Sequence, residues 1–401
     1  MDAAAGHVGG ATVMKPLQDV RVLELTHYLA GPYCTLFLAD MGADVIKIES
    51  PEHPDLGRNM PGCRVEGETG YFHTLNRGKR SVALDLKTDQ GRAAFHRLVE
   101  SSHAVVDNFR QGVTERLGAD PDALRKINPR LVTCSLTGYG ATGPRRDLPA
   151  YDYLIQAMSG IMSLTGDPDG KPTKYGVSIV DHATGILGAF AVLAALRAAE
   201  RDGVGQHVDL ALFDAHLHLL SYLAADYLNC DMAPERYADS AHPYIVPSQR
   251  FSTRDGDIVI MPMTDPMWQA LCLALELTEL ADDPELVTAS GRLKHRQRVI
   301  TTLQEEFANR QTSETVDLLM EHSVPVAPVN SVPEALADPQ VGARSMVVEG
   351  DGIRMLGTPV KMSAVTEGPY QRAPGVGEHT AQVLSEVGLT PSEIDALWPT
   401  N

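Results

Sequence analysis

The stretch VRVLELTHYLAGPYCTLFLADMGADVIKIE, Val20 to Glu49, sets two short apolar runs, VRVLEL and ADVIKIE, on either side of a helical pattern, PYCTLFLADMG. Strands joined through a helix make a parallel crossover, since a tight turn would return the chain antiparallel. The alternation continues to about residue 140 through SVALDL, TDQGRAAFHRLVESS, AVVDNF and LVTCSLTGYG. This predicts an α/β fold with an open, parallel, Rossmann-like sheet. Ligands of such sheets bind outside the carboxyl ends of the strands. The exits to watch are therefore THYLAGP, ESPEHPD, NFRQG and TGYGATG. Gly31-Pro32 follows the first strand where a dinucleotide site would carry G-x-G-x-x-G, which disfavours a nicotinamide or flavin dehydrogenase.

Beyond residue 140 the pattern turns helical. YDYLIQAMSGIMSLTG suits a helix ending near Gly160, Thr184 to Glu200 is an alanine-rich helix, and GQHVDLALFDAHL gives a strand and another helix. Near Pro234 the chain becomes loop-like, and RFSTRDGDIVIMPM reads as a hairpin around Asp255-Gly256. Residues 1–229 are thus expected to form the first part of a large domain, 230–325 a smaller α+β domain, and 326–401 a proline-rich linker and C-terminal helix.

The 401 residues are 43% hydrophobic and 21% charged, enough for two domains with a sizeable core. The N-terminal MDAAAGHVGG lacks the basic-then-apolar order of a signal peptide, and no apolar run reaches membrane-spanning length without a charge, so a soluble, cytoplasmic protein is expected. Five scattered cysteines without a C-x-x-C pair suggest reduced, mainly buried thiols rather than zinc. A net charge of -18 disfavours nucleic acid or an anionic membrane as partner. Against that background Arg77, Lys79, Arg80, Arg110 and Arg116 stand out, because they fall near strand exits where an anion site would lie.

Chemistry centres on VSIVDHATGILGAF, Val177 to Phe190, where Asp181 sits between apolar runs. A carboxylate there must be capped, paired or employed. Three readings compete: an N-cap for the following helix, a buried ion-pair partner, and a nucleophile made poorly hydrated by its surroundings while helix-end amides keep it ionised. The small residues Ala183, Thr184 and Gly185 leave room for a ligand beside it. Asp152 reads as a helix cap rather than half of a carboxylate pair with Asp181, and His216 and His218 as packing or surface residues, since i,i+2 rings on a helix diverge. No G-x-S-x-G, H-E-x-x-H or P-loop motif is present.

Several segments in order resemble one family: PLQDVRVLELTHYLAGPYCTLFLADMGADVIKIE, NRGKRSVALDLK, VVDNFRQGVTERLG, LVTCSLTGYGATGP, YDYLIQAMSGIMSLTGDPDGKPT, the Asp181 stretch, GVGQHVDLALFDA and RAPGVGEHT. From about Pro16 to Gly388 the chain resembles the class III coenzyme A transferases, or CaiB/BaiF family, which also holds α-methylacyl-CoA racemases. The resemblance implies a Rossmann-like large domain built from both terminal regions, a small domain between them, and an interlocked homodimer. It implies acyl-CoA and small carboxylic acids as substrates, with no permanently bound cofactor or metal. Asp181 would be the nucleophile that carries an aspartyl-CoA thioester. CoA contacts would fall on Leu29, Ala30, Asn76, Arg77, Gly78, Lys79, Asn108, Phe109, Arg110, Arg116, Leu136, Thr137, Gly138 and Tyr139. One family position often held by arginine is Ser50 here.

Racemases of the family pair the acid with a histidine in Gly-His-Asp, and the matching segment here is Ala150-Tyr151-Asp152, which favours transfer over racemisation. A third reading is a non-catalytic acyl-CoA-binding protein. AHPYIVPSQRF resembles a segment of transferases acting between succinyl-CoA and other dicarboxylates. His242 and Arg250 are its candidates for a distal carboxylate, the alternative being a role at the domain junction.

Overall fold

A computed structural model describes residues 15–365 and 368–397. The MDAAAGHVGG stretch lies outside them. Two compact units divide the chain. One comprises the chain up to Ser159, Gly176–Leu219 and the chain from Gln340 on; the other comprises Gly160–Tyr175 and Leu220–Pro339. These divisions fall before the expected boundary at 229 and after that at 325.

The first unit is organised by a six-stranded sheet of β1 (Arg21–Leu25), β2 (Asp44–Glu49), β3 (Arg80–Ala83), β4 (Ala104–Asp107), β5 (Val132–Thr137) and β6 (His207–Ala211). Their spatial order is β3-β2-β1-β4-β5-β6, and every pairing is parallel. Strand order reverses between β1 and β4, which pair Leu23 with Val105. At such a reversal the connections leave to opposite sides and open a crevice at the carboxyl ends.

The crossover helices are α1 (Ala30–Asp40), α2 (Gly70–Asn76), α3 (Asp89–Glu100), α4 (Val113–Arg116), α5 (Pro121–Ile127), α6 (Asp152–Met158) and α7 (Ile179–Asp202), and α8 (Leu212–His218) follows the last strand. Alternate strand residues face opposite sides of a sheet. Leu23, Ile46, Val82 and Val105 accordingly pack with Phe95 and Leu98 of α3 and with Val383 and Leu384 near the C-terminus. Val22, Val45, Val106 and Cys134 pack on the other face with Cys34 and Leu38 of α1 and Ala189, Val192 and Ala195 of α7.

By length and composition α7 is apolar enough to cross a membrane. Its small buried residues instead press it against α1 within this unit. A Cβ on Gly185 would lie 2.9 Å from the Ala30 carbonyl oxygen and 3.1 Å from Tyr33 Cβ. The Ala-Thr-Gly run therefore serves helix packing rather than room for a ligand, a correction to the sequence reading. Gly31 has a similar duty at the first strand exit, where a Cβ would meet Thr26 Cγ2 at 2.4 Å.

The second unit carries an antiparallel sheet of β7 (Gln249–Ser252), β8 (Asp257–Ile260) and β9 (Val326–Pro328) in the order β9-β8-β7. The hairpin expected around Asp255-Gly256 joins β7 to β8, with Thr253 N–H donating to the Gly256 carbonyl at 2.9 Å. Phe251, Ile258, Ile260 and Trp268 anchor its core.

Candidate active site

A cleft of about 730 Å³ opens where the strand order reverses. The exit of β1 supplies His27, Tyr28, Leu29 and Ala30, and the exit of β4 supplies Asn108, Phe109 and Arg110. Asn108 ties these exits together: its Oδ1 accepts from the His27 amide at 2.9 Å, and its Nδ2 donates to the His27 carbonyl at 2.8 Å. Leu136, Thr137 and Gly138 come from the end of β5 and its exit, Asp152 from α6 and Asp181 from α7.

Asp181 is not an N-cap. Ser178 occupies that position, the helix starts at Ile179, and Asp181 lies inside the first turn. The amides at this helix end are taken by Asp152, whose Oδ2 accepts from Val180 N–H at 2.8 Å and from Asp181 N–H at 3.3 Å. Asp152 is itself the first residue of α6, so it caps a neighbouring helix rather than its own. The reading that separated the two acids is thereby corrected: the fold brings them together. Among the described residues no donor or cation partners the Asp181 carboxylate. Burial, and then the Asp152 charge, push Asp181 up to about 7.

Tyr71 of α2 faces the same acid, and its phenol is raised by burial and by the charges of Asp181 and Asp55. Tyr28 holds a left-handed φ of 63° just before α1. Its amide donates to Asp55 Oδ1 at 3.0 Å, which pins a conformation that a bulky residue seldom adopts unaided.

Eight of the residues expected to touch CoA therefore line the same cleft as Asp181; the exceptions are instructive. Tyr139 is turned to Phe213, with ring centroids 5.9 Å apart, and Arg116 is exposed on α4. Lys79 is fully buried, with Nζ 2.8 Å from Glu24 Oε2 and 3.0 Å from Asn76 Oδ1, so it presents no ammonium surface to a phosphate. Asn76 is buried with it. Arg77 pairs with Asp40 at 2.5 Å and, with Gly78, lines a separate cavity of about 340 Å³ beside Tyr370. Most of the charge of the NRGKRS run is thus paired within the fold.

His242 and Arg250 belong to the second unit. The imidazole Nδ1 of His242 accepts from the amides of Tyr244 and Ile245, at 3.1 and 3.2 Å. Arg250 pairs with Asp257 at 2.6 Å and with Asp239. His242 Nδ1 and the Arg250 guanidinium thus have partners within that unit. Missed by the sequence reading were His27, Tyr28, Tyr71 and Arg146, all lining the cleft. The strand-exit rule pointed at the first two; nothing in the local sequence marks Tyr71 or Arg146.

This fold and site have known counterparts. A CaiB/BaiF family protein from Brucella suis superimposes with a TM-score of 0.84 at 39% identity, covering 93% of this chain and 99% of that one. CoA-transferase family III matches residues 17–380. The chain belongs to that family, and it is a class III CoA-transferase. It is 41% identical over 384 residues to the succinate–glutarate CoA-transferase of Agrobacterium fabrum, across 93% of this chain and 96% of that protein. To the succinyl-CoA:mesaconate CoA-transferase of Haloarcula marismortui it is 39% identical, across 94% and 97%.

Proposed function

We propose that this enzyme moves CoA from a thioester donor of the succinyl-CoA kind to a second, dicarboxylic acid, with Asp181 as the covalent carrier. The observation that carries this reading is a half-buried carboxylate in the crevice, without a cation or donor among the described residues to quench it. Such an anion is poorly solvated and correspondingly nucleophilic.

An Asp181 oxygen attacks the thioester carbonyl carbon; the C–O bond forms, the C–S bond breaks, and CoA thiolate leaves with the electron pair. The thiolate then attacks the Asp181 carboxyl carbon of the resulting anhydride. That step releases the donor acid and leaves an aspartyl-CoA thioester. The acceptor carboxylate runs the same steps in reverse. Anhydride and thioester have comparable acyl-transfer potential, so what the site must supply is orientation and exclusion of water.

The names of the relatives favour dicarboxylic acids. Arg110 and Arg146 line the cleft and supply positive charge for the anionic ends of CoA and acceptor. We take the working form to be a cytoplasmic, interlocked homodimer; exposed Leu154, Ile186 and Phe190 on α6 and α7 favour a covered surface there.

Intact-protein mass spectrometry after incubation with succinyl-CoA tests the reading. Wild type should gain a hydroxylamine-sensitive adduct, and Asp181→Ala should lose both the adduct and at least about a thousandfold in exchange rate. Exchange persisting in the folded variant would refute the assignment.

A further inference from the structure

Asp152 has no part in the chemistry above, yet the fold spends polar contacts on placing it. It is 6% exposed, and Gln156 Nε2, one turn along α6, donates to its Oδ1 at 2.6 Å. Its Oδ2 holds the amides of Val180 and Asp181. Helix N-terminal amides are where an anion is best accommodated. Asp152 occupies them, and Asp181 is left beside a second carboxylate without that support.

The other groups around this pair do not offset the repulsion. Tyr71 from α2 is held as the neutral phenol, and burial lowers His216 of α8, its Nδ1 joined to Ser159 Oγ at 2.7 Å. His182, next along α7, turns its Nδ1 to the Ser178 carbonyl at 2.7 Å and its ring to Tyr33 of α1. At the β1 exit His27 Nδ1 lies 3.7 Å from Asp55, and Tyr28 lines the cleft. Tyr151 precedes Asp152 and is exposed. Arg110 and Arg146 line the cleft, but neither forms an ion pair with Asp152 or Asp181 among the described residues.

We propose that Asp152 is a positioning residue that drives Asp181 toward covalent capture: by claiming the helix-end amides and facing Asp181 with like charge, it disfavours the free carboxylate relative to every uncharged form. This rests on Asp181 being the nucleophile. When Asp181 attacks the donor, its negative charge leaves with the CoA thiolate, and when the thiolate attacks in turn the charge leaves with the donor acid. Either covalent state removes the repulsion with Asp152, and so does a proton. Protonation and CoA attachment are thus promoted by the same two features, and a more basic carboxylate is also the stronger nucleophile.

The test follows the rate of adduct formation and the equilibrium fraction of adduct, at a fixed ratio of succinyl-CoA to succinate, from about pH 5 to about pH 9. It compares wild type with Asp152→Asn, which keeps an oxygen for the amides and loses the charge. Wild type should show an acid limb near pH 7, the value of Asp181 in this setting. In the variant the limb should move down by about one unit or more, and the ratio of adduct to free enzyme at about pH 8 should fall roughly tenfold. A limb and an adduct ratio that do not differ between the two proteins would overturn the inference while leaving Asp181 as carrier. If Asp152→Asn does not fold, the wild-type profile decides, because a limb in the ordinary carboxylate range contradicts the inference. Absence of any hydroxylamine-sensitive adduct in wild type removes the reading beneath it, and the inference with it.

Discussion

Glu24 and Asp55 lie beneath the cleft, Asp152 and Asp181 at its wall, and the two pairs of acids keep opposite company. Glu24, on β1, is fully buried, with Oε1 2.7 Å from Lys47 Nζ and Oε2 2.8 Å from Lys79 Nζ; Lys47 also reaches Asp55 Oδ2 at 2.8 Å. Burial pushes Glu24 up, but the two ammonium groups outweigh it and hold the carboxyl at about 2. Asp55 is held well below the carboxylate range in the same way, chiefly by Lys47 against its burial. At Asp181 burial meets no cation and is joined by a like charge. Burial by itself therefore does not make an acid reactive. The neighbours decide whether the carboxylate is neutralised and structural or frustrated and available.

The sharpest way to break the neutralised pair is Lys47→Met. It keeps much of the stem volume and leaves Glu24 and Asp55 without the cation they share, a loss of about 3–5 kcal/mol expected from a broken buried ion pair. Urea denaturation measures it, and a loss below about 1 kcal/mol would show that the lysine is not what stabilises these acids. Asp55→Asn is milder. It retains an oxygen for the amides of Tyr28 and Gly57 but removes the charge opposite Lys47, costing about 1–3 kcal/mol. Because Tyr28 leads directly into Leu29 at the cleft, this variant should also raise KM for acyl-CoA about threefold to tenfold. A stability loss with unchanged KM would separate the network from the strand exit above it.

The same contrast explains what was legible in the sequence. Alternating strands and helices gave the parallel sheet, because VRVLEL and ADVIKIE carry the apolar residues that both faces bury. Strand-exit reasoning reached Leu29, Ala30, Asn108 and Arg110 for the same reason. It failed at Lys79 because a lysine near a strand looks identical whether it faces a ligand or a glutamate two strands away in the sheet. Glu24 and Lys79 are far apart in the chain, and only sheet order makes them partners. Asp152 was misread on similar grounds: an acid at a helix start suggests a cap, but which helix it caps is a tertiary fact. The start of α7 at Ile179 was missed because SIVDHATG mixes β-branched and small residues, whose weak helix preference is overridden by packing against α1.

The smallest effect is also the one in which the two sites should differ in sign. Asp181 has an ordinary value of 3.8, raised in the folded chain to about 7. Between these values the folded chain binds a proton that the unfolded chain has lost, so the stability this confers is whole below about pH 4 and disappears as pH rises through 7. Asp181→Asn removes the titration. Its melting temperature should therefore gain a few degrees on wild type between acidic and mildly alkaline buffer. Glu24 behaves oppositely, being depressed from 4.5 to about 2: its contribution is present above pH 4.5 and fades as pH falls toward 2. Glu24→Gln should accordingly lose most against wild type near neutrality and least in acid. Melting curves for both variants across pH settle the comparison, and parallel shifts with no pH dependence would mean that the two acids do not differ in the way their neighbours dictate.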